Sequence, residues 1–215
     1  MDQDFGEPWW AGSIQNIYDL KNERKSISSF DMTHIVKGYV IYELPFGRGK
    51  MLLGNAGPVA NALVGGWSLN GDFHYNTGTP IQLFSQNSYP GFSSVYVDIA
   101  PGCHLTNGSP ELNKQWLNAS CFLNPAAGNL GTAGHYIGQV RNPGLATENL
   151  GVHKTMAMGD RSQYRLTLRM EFFNVFNRHQ MGGPDTNMSD STYGQIISYG
   201  GLGGRVGQFG ARFTF

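Results

Sequence analysis

Arg205-Val206-Gly207-Gln208-Phe209-Gly210-Ala211-Arg212-Phe213-Thr214-Phe215 closes the chain, and its reading decides the fold. From Phe209 onward, Phe209, Ala211, Phe213 and Phe215 alternate with Gly210, Arg212 and Thr214, with Gln208 before them in the polar register. Successive side chains of a strand point to opposite faces, so this alternation predicts a β-strand with one aromatic and one polar face. An unprotected aromatic terminal strand is an aggregation hazard in water. In a transmembrane β-barrel, lipid covers the aromatic face and neighbouring strands take the edges.

Composition agrees with a β protein rich in long loops. The chain has 215 residues, a formal net charge of +0, 14% charged and 13% aromatic residues, and 30 glycines. Ordinary soluble domains carry about 25% charged residues. The balanced charge argues against a nucleic-acid partner, which would require a basic surplus. The aromatic content argues against a disordered chain. No apolar run reaches the roughly 18 residues of a membrane-spanning helix. The N-terminus, Met1-Asp2-Gln3-Asp4-Phe5-Gly6-Glu7-Pro8, has neither a basic region nor an apolar core, so no signal peptide is expected. Cys103 and Cys121 lie in one Gly/Asn/Pro-rich segment, and such a pair suits an oxidised disulfide outside the cytoplasm. An exported body without an export signal suggests a piece of a larger protein.

Working outward from the terminal strand at 205–215, the same alternation marks four more strands, near 34–44, 67–83, 149–158 and 163–176. In the 163–176 strand, Tyr164, Leu166, Leu168, Met170 and Phe172 take one face, and Gln163, Arg165, Thr167, Arg169 and Glu171 the other. Lys154 is the misfit, a cation in the apolar register of Leu150, Val152, Met156 and Met158; at a strand end it can snorkel. Met51 to Val64 reads as an apolar connector with one helical turn, and Tyr193 to Ser198 as a possible short strand.

The links between strands are uneven. Gly159–Ser162 is a short turn, whereas 1–32, 85–146 and 177–204 are long and without sustained periodicity. Short periplasmic turns and long outer loops mark bacterial outer-membrane barrels. The expected fold is therefore all-β: an antiparallel up-and-down meander of about five long strands, part of a transmembrane barrel, with the C-terminus periplasmic and the long loops extracellular. Five strands do not close an even-stranded barrel, so the chain is expected to be one portion of a larger wall. If the apolar faces meet outer-membrane lipid, the lumen receives Lys37, Glu43, Asp72, His74, Arg165, Arg169, Glu171, Gln208 and Arg212. These mixed charges suit mutual pairing or contact with an inserted plug.

Catalytic signals are thin, and neither an enzyme nor a cofactor site is expected. The six histidines show no His-Glu-x-x-His or other ligand spacing. A zinc site joining His104 to Cys103 and Cys121 is conceivable but weak. Gly47-Arg48-Gly49-Lys50 lacks the spacing of a phosphate loop, and Gly200–Gly204 precedes a strand rather than a helix. No Gly-x-Ser-x-Gly elbow occurs. The sequons at Asn107, Asn118 and Asn187 are expected by chance in so Asn- and Ser-rich a chain.

Several stretches, in order along the chain, resemble the C-terminal barrel of Oar-type TonB-dependent transporters of Gram-negative bacteria. They are Phe30-Asp31-Met32-Thr33-His34, Tyr42-Glu43-Leu44-Pro45-Phe46-Gly47-Arg48-Gly49-Lys50, Gly65-Gly66-Trp67-Ser68-Leu69-Asn70-Gly71 and Thr77-Gly78-Thr79-Pro80. Further on come Trp116-Leu117-Asn118, Phe122-Leu123-Asn124-Pro125-Ala126-Ala127, Gly128-Asn129-Leu130-Gly131 and Arg169-Met170-Glu171-Phe172-Phe173-Asn174-Val175-Phe176-Asn177-Arg178. The resemblance implies a large barrel closed around a plug domain, nutrient uptake energised by the TonB complex, and a terminal strand bearing Phe209, Phe213 and Phe215 that the barrel-assembly machinery recognises. Plug, TonB-contacting segment and most barrel strands are missing from these residues. A soluble extracellular β-rich module that holds a carbohydrate or protein through the 85–146 loop is the alternative.

Overall fold

The computed structural model describes residues 15, 16, 18, 26–90, 92, 94–158 and 163–215. The chain divides into two compact units. A sheet unit comprises Val36–Tyr75, Ala146–His179 and Gly203–Phe215; a loop unit comprises Met1–Ile35, Asn76–Leu145 and Gln180–Leu202.

The elements in chain order are β1 (Ile35–Glu43), α1 (Pro58–Val64), β2 (Trp67–Asn76), β3 (Pro80–Ile81), β4 (Asp98–Ile99), β5 (Phe122–Leu123), β6 (Ile137–Arg141), β7 (Leu145–Met158), β8 (Tyr164–Phe173) and β9 (Val206–Thr214). The five long strands form one sheet in the order β1-β2-β7-β8-β9, the expected antiparallel meander. Among the described residues, β1 and β9 each have a neighbour on one side only. β1, β2, β8 and β9 are 9 or 10 residues long, the length that crosses a hydrocarbon core when tilted, about 9–11 residues.

Register is set by the alternation itself. β7 pairs with β8 through Leu150↔Phe172, Val152↔Met170, Lys154↔Leu168, Met156↔Leu166 and Met158↔Tyr164. β8 pairs with β9 through Met170↔Phe209, Leu168↔Ala211 and Leu166↔Phe213. A slip of one residue would throw every apolar side chain to the opposite face, so the pattern holds the strands in place.

Several strand limits differ from the sequence reading, each for a local reason. The 67–83 strand stops at Asn76, because Thr77-Gly78-Thr79-Pro80 turns the chain and Ile81 pairs with Ile137 of β6. A Cβ on Gly78 would lie 1.6 Å from the carbonyl oxygen of Asn142, so only glycine fits this crossing. β7 begins at Leu145, ahead of the expected 149. β8 ends at Phe173 because Asn174 and Asn177 adopt left-handed backbone angles, φ 50° and 52°, which asparagine tolerates. Tyr193–Ser198 is not a strand; Gln195 and Ile196 form isolated bridges to Gln115, Leu112 and Pro184. The turn expected at Gly159–Ser162 lies outside the described residues, as does most of 1–32.

The largest difference concerns 85–146, read above as a long outer loop without sustained periodicity. It contributes β4, β5, β6 and most of a hydrophobic core: Val95, Tyr96, Val97, Leu117, Cys121, Phe122, Ile137 and Val140, joined by Leu83 and Ile196, are each 3% exposed or less. The core forms without long strands. Two-residue ladders, single bridges and side chain to backbone hydrogen bonds satisfy the buried backbone instead. Gln15 donates through Nε2 to the Gly131 carbonyl at 2.7 Å and accepts from the Tyr96 backbone N–H at 3.0 Å. Cys103 and Cys121 are joined as a disulfide, with Cα atoms 5.7 Å apart. The bond consumes both thiolates that the zinc reading with His104 required.

Candidate functional site

The distinctive surface of this chain is the sheet itself. Register aligns its alternating residues into two coherent faces. One carries Val36, Val40 and Tyr42 of β1, Trp67, Leu69, Phe73 and Tyr75 of β2, Leu150, Val152, Met156 and Met158 of β7, the Tyr164–Phe172 apolar series of β8, and Phe209, Ala211 and Phe213 of β9. The β1–β2 register is marked by Leu44 N–H donating to Trp67 O at 2.9 Å, and by the Phe73 ring lying over Gly38, where a Cβ would meet Cζ at 2.6 Å.

This face is uncovered. Phe209 is 76% exposed, Val40 62% and Phe213 54%. Its rings touch one another rather than a core: Tyr164 and Phe213 stack at 6.0 Å, and Phe172 meets Phe209 edge-on at 6.4 Å. Every buried hydrophobic residue among the described ones belongs to the loop unit. Apolar patches of this extent on a protein surface mark a membrane or partner interface.

The opposite face is polar. Asp72 accepts from Asn149 Nδ2 at 2.8 Å, Glu171 accepts from Gln208 Nε2 at 2.5 Å, and His153 Nε2 stands 3.5 Å from Glu171 Oε1. Arg165, Arg169 and Glu171 of β8 oppose Thr214, Gly210 and Gln208 of β9, and Arg212 opposes Thr167. Lys37 and His74 share this side, since Gly38 and Phe73 face the other way. Glu43, at the end of β1, pairs with Lys50 at 2.7 Å. The sequence set is thus brought onto one face, and linked through β7 by Asn149 and His153, which sequence reasoning passed over. Their signal was available: both fall in the polar register once Leu150, Val152 and Met156 define the other. Tyr39 and Ile41 also lie on this side and are 81% and 69% exposed, so β1 is apolar on both faces.

Two charged groups on the apolar face have specific partners. Glu148 accepts from Arg178 Nε at 2.8 Å and from the Tyr75 hydroxyl, at the end of the sheet where the long connections begin. Asn174 braces that corner, donating through Nδ2 to the carbonyls of Arg178 at 2.8 Å and Gly203 at 2.9 Å. Lys154, the misfit of the sequence, is 4% exposed. Its ammonium donates to Leu63 O at 3.1 Å and to Gly65 O, and lies 5.0 Å from the Trp67 ring centroid.

In the loop unit, the Tyr193 hydroxyl is buried without a hydrogen-bond partner. Burial, with the charge of Asp185 adding to it, pushes its pKa up to about 12. No group of three or more His, Cys, Asp or Glu side chains among the described residues is arranged to hold a metal ion.

A sheet that is apolar on one face, polar on the other and bilayer-long in its strands, with a short link between β7 and β8 and long connections at the opposite end, defines a membrane β-barrel wall. The family model of an outer membrane beta barrel domain matches residues 1–208, and the chain belongs to that family. It is an outer-membrane barrel protein associated with membrane lipid. No curated protein and no solved structure matches the chain.

Proposed function

We propose that this chain forms part of the wall of a TonB-dependent outer-membrane transporter of the Oar type and contributes to energised nutrient uptake rather than to catalysis. The observation that carries the reading is the aligned pair of faces. The apolar one meets lipid; the polar one, from Lys37 to Arg212, lines the lumen. Exposed Tyr39 and Ile41 on the lumen side suit contact with an inserted plug domain. The free sides of β1 and β9 pair with further barrel strands, because an unpaired edge has no hydrogen-bond partners in hydrocarbon. The ordered sequence stretches that resemble this family support the transporter assignment. In this orientation the short β7–β8 link, the β1–β2 connector and the C-terminus are periplasmic, the loop unit is extracellular, and β9 with Phe209, Phe213 and Phe215 is the segment the barrel-assembly machinery receives.

The test is uptake in cells that carry or lack the full-length product. Growth on a limiting nutrient that requires both this protein and an intact TonB complex is expected. Uptake indifferent to TonB would remove the transporter reading and leave the barrel standing.

A further inference from the structure

The connector between β1 and β2, residues 44–66, is built inside out. In a helix that packs on a water-soluble core, apolar residues face inward and polar ones outward. In α1 the polar residue is the one engaged: Asn61 Oδ1 accepts from Arg48 N–H at 2.6 Å and lies against Gly47 and Gly65. Val59 and Leu63, one helical turn apart and hence on one face, are 78% and 70% exposed. Met51 and Leu53 of the same connector are 82% and 58% exposed. A helix of seven residues does not hold itself together in water. This one is held by Pro58 at its start and, at its end, by Lys154 and by Trp67 Nε1, which donates to Leu63 O at 2.9 Å. Lys154 and Trp67 belong to the apolar face of the sheet, so α1 is anchored to that face, at the end that carries the short connection.

We propose that the connector is a membrane-interface element that inserts Val59 and Leu63, with Met51 and Leu53, among the acyl chains of the periplasmic phospholipid leaflet. The proposal rests on the reading of the apolar sheet face as the lipid face, with which the connector is continuous. Interfacial helices bury such residues at the boundary of headgroups and acyl chains, with basic groups nearby. Here exposed Arg48, held against α1 by its backbone, supplies the basic group. Lys154 is accommodated in the apolar register because the helix's terminal carbonyls and the Trp67 ring take its charge.

The experiment places single cysteines, Val59→Cys or Leu63→Cys, in the full-length product, with Leu168→Cys as the sheet-face reference and Asn55→Cys as the water reference. Cys103 and Cys121 are bonded to each other and take no label, and any cysteine outside these residues is replaced by serine first. Each protein is labelled with bimane and reconstituted into phosphatidylethanolamine/phosphatidylglycerol vesicles with plain or brominated acyl chains. The expected result is quenching by brominated lipid at 59 and 63 as strong as at 168, with none at 55. Lys154→Met is expected to abolish quenching at 59 and 63 while leaving that at 168. Quenching at 168 with positions 59 and 63 open to aqueous iodide, or shielded from both quenchers, overturns this proposal alone. Loss of quenching at 168 overturns the lipid-face reading and the proposal with it.

Discussion

Tyr96 and Phe209 carry similar rings, yet Tyr96 is 2% exposed and Phe209 76%. The first belongs to the loop unit, whose apolar side chains are gathered into one cluster around Leu83, Val97, Leu117 and Phe122. The second belongs to the sheet unit, whose apolar side chains are aligned on a face and left uncovered. One chain thus contains two solutions to the hydrophobic effect. The loop unit removes its apolar surface from water by folding over it. In the proposed reading, the sheet unit presents its apolar surface to a solvent that is itself apolar. The loop unit spends its backbone polar groups on bridges and side-chain contacts. The sheet unit must pair them strand to strand, because hydrocarbon supplies no partners.

The comparison is sharpest where a substitution should matter in one unit and not in the other. Phe122→Ala empties a core position of the loop unit and is expected to cost about 3–5 kcal/mol. Hydrogen exchange should show lost protection at Leu117 and Ile137 while β8 and β9 keep theirs. Equal loss in both units would merge the two regimes into one core.

Removal of the Cys103–Cys121 bond is expected to cost about 2–4 kcal/mol, again in the loop unit alone. Intact mass under non-reducing conditions checks the bond itself, and two free thiols in exported protein would contradict it. Leu168→Arg, in the middle of the apolar face, is expected to cost about 2–4 kcal/mol of membrane stability. Thr167→Arg, one residue away on the polar face, should cost far less. Urea unfolding in lipid vesicles reads the difference, and similar losses would erase the distinction between the faces.

The smallest effect concerns Tyr193. Its buried hydroxyl lacks a partner and carries an uncompensated desolvation cost, so Tyr193→Phe should raise stability by about 1 kcal/mol near neutral pH. At alkaline pH the two proteins diverge. The pKa of Tyr193 is raised from 10.0 to about 12 in the folded chain, so the unfolded state ionises first. Wild type then loses stability as the pH climbs from 10 towards 12, and the phenylalanine variant should lose less. Parallel pH curves would contradict this.

Legibility in the sequence followed the same division. The sheet was readable because its physics is periodic: Tyr164, Leu166, Leu168, Met170 and Phe172 announce their face without reference to any other segment. Its polar set was readable by parity, and Asn149 and His153 would have followed from applying that parity to β7. The ends of strands were less readable, since Asn174 stops β8 by left-handed geometry and Glu148 is held by Tyr75 and Arg178 from distant segments. The loop unit was not readable at all. Gln15, Tyr96 and Ile196 meet through contacts between residues far apart in the chain, and two-residue strands leave no period. Lys154 was visible as an exception, but its reason lies in the carbonyls of Leu63 and Gly65, which only the fold brings near.

The central claim is that the two faces of the sheet meet different solvents. Single cysteines at 208 to 213 along β9, probed with a water-soluble maleimide in intact outer membranes, test it residue by residue. Positions 208, 210 and 212 should react, and positions 209, 211 and 213 should be protected. Uniform reactivity along the strand, or the opposite alternation, would contradict the account.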